Sequence, residues 1–222
     1  MKNPWLSLNF EETRIHEMDQ TIVEEFNRKA KKEVQFCTQL LPDPYIGSLE
    51  ADVLVLALNP GLSEEDYATH SDIKYRQLYK ENLYQKVTEY PFYYLNPELD
   101  CPGSRWWNRK LRWLLEKVDR KQLAKSICCM QLMPYHSVRF KETKENLPTQ
   151  EYTRFVVKQF MERNTPIVFM RSKKKWVELV PELEGYPYSF VMRNPRNPTF
   201  SPKNMGEENF EEVVEILGAG KL

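Results

Sequence analysis

Residues 51–61 read Ala51-Asp52-Val53-Leu54-Val55-Leu56-Ala57-Leu58-Asn59-Pro60-Gly61, and the fold turns on them. The apolar run is as long as a strand and lacks the alternation of a strand with one wet face. Such continuity marks a strand covered on both sides, as in the middle of a parallel sheet. Asn59-Pro60-Gly61 then ends it, because Pro lacks a donor and Gly permits a sharp turn. Three further strands are expected over 126–133 (stopped by Pro134), 166–170 and 188–192. Helices are expected over 9–36, 106–121, 149–164 (Thr149 as N-cap) and 207–217, with shorter ones near 73–84 and 174–179. The alternation predicts a three-layer α/β/α sandwich around a central, mostly parallel four-stranded sheet. One domain over 1–222 accounts for the chain, with 1–44 as an N-terminal helical extension and 62–91 as a lid-like insert.

Composition narrows the function classes. The chain has 222 residues, 41% hydrophobic and 13% aromatic, which excludes a disordered polymer. No run approaches the ~18 apolar residues of a transmembrane helix, and the start has no apolar signal-peptide core, so a cytoplasmic protein without membrane contact is expected. If the source is bacterial, it would be nucleoid-associated. Four cysteines (Cys37, Cys101, Cys128, Cys129) include no Cys-x-x-Cys pair. They read as free thiols, and no metal or other cofactor is expected. The three histidines, His16, His70 and His136, have no ligand spacing.

Lys+Arg and Asp+Glu both number 32, so the formal net charge is zero. The charges are segregated. Residues 1–100 hold 10 basic and 18 acidic side chains, 101–203 hold 21 and 9, and 204–222 hold 1 and 5. A net +12 over about a hundred residues suits a phosphate backbone.

Ligands of open parallel sheets bind beyond the carboxyl ends of the strands. The four segments there are 59–63, 134–137, 171–175 and 193–204, rich in Asn, Pro, Ser and basic residues. They contain no dinucleotide fingerprint, no P-loop and no nucleophile elbow.

Leu58-Asn59-Pro60-Gly61 resembles the first motif of the uracil-DNA glycosylase superfamily, closest to its mismatch-specific uracil/thymine branch. Tyr90-Pro91-Phe92 and Ser104-Arg105-Trp106-Trp107 resemble that branch's aromatic segments. Asn194 to Ser201 resembles its second motif. The likeness spans roughly residues 45–217. It implies a monofunctional DNA glycosylase that flips out a pyrimidine-type base, hydrolyses its N-glycosidic bond and leaves an abasic site. The base would be uracil, mismatched thymine or a modified, bulky cytosine, in a repair role or against foreign DNA such as that of a phage. DNA is the implied partner of a monomer.

Under this resemblance Asn59 would hold the hydrolytic water; His136 is a further candidate catalytic group, and Asp66, in the insert that departs from the family, is a candidate extra acid or base or a contact to a polar adduct. Leu58, Pro60, Gly61, Tyr67, Phe92 and Asn194 would bind the base, Phe92 by stacking. Arg171, Lys173, Lys174, Arg193, Arg196, Asn197, Phe200, Ser201 and Lys203 would hold DNA, with Phe200 or Arg196 as the wedge. The chain departs from the family pattern at Ala57, where Gly is usual, in the length of the 62–91 insert, and in the missing glycine of the second motif. The alternative readings are a non-catalytic DNA- or nucleotide-binding protein on the same scaffold, and an α/β domain whose basic loops serve protein contacts.

Overall fold

The computed structural model describes residues 1–9 and 14–219. Five strands, β1 (Tyr45–Gly47), β2 (Val53–Ala57), β3 (Ile127–Gln131), β4 (Ile167–Phe169) and β5 (Ser189–Val191), form one sheet in the order β1-β3-β2-β4-β5. β2 is central and parallel to both β3 and β4, and β5 extends the parallel set. Every residue of β2 is buried. Its unbroken apolar run therefore meets helical layers on both faces, as an α/β/α sandwich requires.

Nine helices accompany the strands among the described residues: α1 (Gln20–Lys29), α2 (Glu64–Ser71), α3 (Ile73–Leu83), α4 (Pro102–Leu115), α5 (Arg120–Ser126), α6 (Gln150–Glu162), α7 (Lys173–Leu179), α8 (Pro202–Met205) and α9 (Glu207–Ala219). Among the described residues none is long and apolar enough to cross a membrane. All four cysteines are free.

Several expectations need correction. The sheet has five strands, not four. β1 is only three residues long and pairs antiparallel with β3, with Tyr45 opposite Met130. Gly47 makes this approach possible. Its φ is +100°, and a Cβ there would lie 2.5 Å from the Ile127 carbonyl oxygen.

The helix expected over 9–36 shrinks to α1, and residues 10–13 of it lie outside the described residues. A 3-10 turn at Glu17–Asp19 precedes α1, and extended Ala30 ends it. Asp19 is buried there and accepts the Tyr135 hydroxyl at 2.7 Å and the Thr149 hydroxyl at 2.6 Å. Thr149 thus spends its side chain on Asp19 and makes no cap bond to α6. The expected 106–121 helix is two helices, with Asp119 capping the start of α5. Trp113 of α4 is exposed.

The 62–91 segment lines the cavity at Leu62, Ser63 and Asp66 and is otherwise anchored to the core. α3 buries Tyr75, Tyr79 and Leu83 in the core. Asn82 clasps β1, accepting from the Gly47 N–H and donating to the Tyr45 carbonyl.

Candidate active site

β2, β3 and β4 end at one rim. Leu132 donates to the Ala57 carbonyl, Met133 to that of Leu58 and Met170 to that of Leu56, so the chain leaves all three strands in step. The segments that follow enclose a cavity of about 510 Å³, within the ~300–1,000 Å³ typical of small-molecule sites. A groove of about 570 Å³ runs between α1 and residues 141–145. Ile22 and Phe26 with several Lys and Glu chains line it, and no strand-end residue does.

Asn59 sits at the mouth of β2 with its amide fixed. Nδ2 donates to the Pro60 carbonyl at 2.8 Å and to Ser137 Oγ at 2.9 Å. A carbonyl can only accept, so the nitrogen must face Pro60, and both amide hydrogens are consumed. Ser137 in turn donates to the Arg139 carbonyl at 3.0 Å. Oδ1, without a hydrogen-bond partner among the described residues, is left as a pure acceptor.

His136 braces the same turn. Its ring lies 2.6 Å from the Gly61 carbonyl through Nδ1, which must therefore carry the proton. Burial lowers its pKa, so the ring is neutral. Nε2 is buried and unpartnered among the described residues, and the His70 ring lies edge-on at 4.9 Å.

Aromatic rings make up much of the remaining wall: Tyr94, Trp106, Trp107 and Phe140. A Cβ at Gly103 would lie 2.4 Å from the Tyr94 ring, so the missing side chain lets α4 close on that tyrosine. Cations gather beside Trp106. Lys110 stands 5.3 Å from its ring, and burial followed by the charges of Arg171, Arg109 and Arg112 lowers the Lys110 pKa. Arg171 lines the cavity and is itself partly buried. No three His, Cys, Asp or Glu side chains cluster as metal ligands among the described residues.

No family model, curated protein or solved structure matches this chain. The site is therefore read from its own geometry.

Of the residues singled out from sequence, the cavity gathers Leu58, Asn59, Pro60, Gly61, Asp66, His136 and Arg171. Others fall elsewhere. Phe92 is fully buried against Trp107, with ring centroids 4.9 Å apart, and cannot stack on a base. Phe200 is fully buried too, so it is no wedge. Ser201 caps α8 through its side chain, and Asn194 closes a turn by accepting from the Arg196 and Asn197 backbone. Tyr67 lies outside the cavity wall, its hydroxyl 3.7 Å from Cys37 Sγ. Asp66 lines the cavity, but its Oδ2 accepts the Ser63 N–H and hydroxyl in a capping box at the start of α2.

Lys173 and Lys174 start α7 on a separate shallow surface. Arg193, Arg196, Asn197 and Lys203 are exposed and outside the cavity wall. Asn197 is joined to α4 by Lys110 Nζ at 2.6 Å.

Sequence reasoning missed Asp43, Gln131, Ser137, Tyr94 and the Arg109–Arg112 cations. Gln131 is the last residue of β3, the parallel neighbour of β2. Strand-end position was a usable signal for it.

Proposed function

We propose that this chain is a monofunctional DNA glycosylase that hydrolyses the N-glycosidic bond of a flipped pyrimidine-type base. One observation carries the reading: the Asn59 amide is locked so that Oδ1 is a fixed acceptor at the cavity, at the carboxyl end of the central strand. A water held on Oδ1 has its lone pair directed away from Asn59 and toward the sugar. Water oxygen bonds to C1′ as the bond from C1′ to the base breaks, the electron pair leaves with the base, and the proton that the water loses passes through solvent to the departing base. Asn59 orients the water and takes no proton, so the rate gain comes from positioning.

Trp106 offers a ring for the extruded base, and Lys110 beside it with Arg171 offers positive charge for phosphates. The likeness of Leu58-Asn59-Pro60-Gly61 to the first motif of the uracil-DNA glycosylase superfamily supports the same reading.

Alkaline cleavage of labelled duplexes holding uracil, mismatched thymine or a modified cytosine tests it. Strand breaks at one of these bases are expected from the native chain and not from Asn59→Ala. Duplex binding without breaks in any of them would refute the enzyme.

A second reading, DNA binding without catalysis, draws on a specific observation. Asp66 Oδ2 is spent on a helix cap and His136 Nδ1 on a turn, and the amide of Asn59 itself takes no proton. The same cleavage assay separates the two.

A further inference from the structure

Asp43 lines the cavity, is 2% exposed and has no cation paired with it among the described residues. It lies between Pro42 and Pro44, just before β1. Its own N–H is bound to the Pro134 carbonyl at 2.7 Å, so its position is fixed. Pro44 accepts the Gln131 N–H at 3.0 Å, which extends the β1–β3 ladder by one step, and Asp43 and Gln131 both line the cavity.

A chain of buried hydroxyls backs the carboxyl. Tyr93 donates to Asp43 Oδ1 over 3.5 Å, and Tyr94 also hydrogen-bonds it. The Tyr94 hydroxyl is 3.2 Å from that of Tyr75, which is 3.3 Å from His70 Nε2. His70 Nδ1 accepts the Leu41 N–H at 3.1 Å, so its proton sits on Nε2 and points at Tyr75. Burial nonetheless outweighs the tyrosine hydrogen bonds and pushes the Asp43 carboxyl up to about 7. Gln131 is 5% exposed, and its Oε1 has no partner among the described residues. A buried, unmatched amide oxygen is costly to the fold unless a ligand supplies a donor.

We infer that Asp43 and Gln131 form the edge-reading wall of this cavity and select a base of the cytosine type, with a 4-amino group, over uracil or thymine. The inference rests on the glycosylase reading for its DNA context. Asp43 and Gln131 Oε1 present acceptors. A 4-amino group brings two N–H donors to them, whereas the 4-oxo group of uracil brings a third acceptor. The acid form of Asp43 can donate O–H to N3 and accept from the amine of cytosine, but it can equally donate to O4 and accept from N3–H of uracil, so the selection rests on Gln131 Oε1 and on the ionised form. The ionised form still accepts from the amine, in the pairing that acidic residues make with cytosine N4. The volume, typical of drug-sized ligands, leaves room for a substituent at the base's 5-position.

The test uses the full chain and duplexes with one hydrolysis-resistant 2′-fluoro-arabino nucleotide. The base is 5-hydroxymethylcytosine in one duplex and 5-hydroxymethyluracil in its match, so only position 4 differs. Binding at least tenfold tighter to the cytosine member is expected. Asp43→Asn, which keeps an acceptor for Tyr93 but adds an amide donor, should abolish or reverse that ratio. Gln131→Met should reduce it. Equal affinity for the two duplexes, preference for the uracil member, binding to neither, or a ratio unchanged in Asp43→Asn would each overturn the inference.

Base release from the same pair with natural sugar separates this inference from the glycosylase reading. Cytosine preference in binding without release refutes the enzyme and keeps the wall. Release from the uracil member without cytosine preference refutes the wall and keeps the enzyme.

Discussion

Asn59 is decided by what surrounds it. Two acceptors, the Pro60 carbonyl and Ser137 Oγ, consume both hydrogens of its amide. Asn59→Ala should therefore lower base release at least ~100-fold, the scale of losing one preorganised polar group. Duplex affinity measured by anisotropy should not change. Ser137→Ala frees one amide hydrogen and lets the amide turn, so about tenfold lower kcat at unchanged affinity is expected.

Asp43 gives a stability prediction of defined sign. Its folded pKa, about 7, lies above the ordinary value of 3.8. The unfolded chain thus gives up this proton first as pH rises. The resulting stability is complete below about 4, is lost progressively between about 4 and 7, and stays lost above that. Asp43→Asn removes the titration. Its melting temperature should gain on the native chain between pH 5 and pH 8, and an equal pH dependence in both proteins would contradict the burial argument.

At the scale of elements, long patterns were legible and short ones were not. The β2 run announced its own burial, and β3, β4 and β5 were placed by their apolar segments and the prolines or basic loops after them. β1 was hidden because three residues show no period, and its evidence is a tertiary one, the glycine that β3 requires. α2 was hidden because its eight residues carry almost no apolar face. Its start is written instead in Ser63 and Asp66, the two halves of a capping box. Asp66, a candidate acid or base in the sequence, thus also serves as a helix cap, since a carboxylate in a polar loop reads the same either way. Phe92 and Phe200 were misread for a related reason: an aromatic in a motif gives no sign of which way it faces.

Two substitutions check this level. Gly47→Ala must push its methyl against the Ile127 carbonyl at positive φ, and denaturant unfolding should show a loss of about 1–3 kcal/mol or more. Ser63→Ala should cost about 1 kcal/mol, through the cap alone.

For the whole molecule, zero net charge conceals how the cations are used. Many in the basic segment are spent on acids: Arg105 on Glu65 and Asp100, Lys121 on Glu89, Arg154 on Glu151, Lys158 on Glu182, and Lys175 on Glu142. Such exposed pairs are worth little to stability, but they cancel charge locally. Arg109, Lys110, Arg112 and Arg171 do the opposite. Burial first, and then the charges of Arg171, Arg109 and Arg112, lower the Lys110 pKa; Lys110 stands beside Trp106 and Arg171 lines the cavity. Uncompensated like charges held near one another are costly unless an anion joins them, and a duplex backbone would do so while its base enters the cavity. Affinity for DNA should then fall linearly in log–log form with salt, losing about 0.9 in slope for each phosphate contact removed. Arg171→Ala and Arg109→Ala, each measured by anisotropy between 50 and 200 mM salt, should flatten the slope by about one contact apiece. Lys121→Ala, whose partner Glu89 already neutralises it, should leave the slope as it is. If all three variants keep the native slope, the phosphates are held elsewhere and the cluster beside Trp106 has no part in binding DNA.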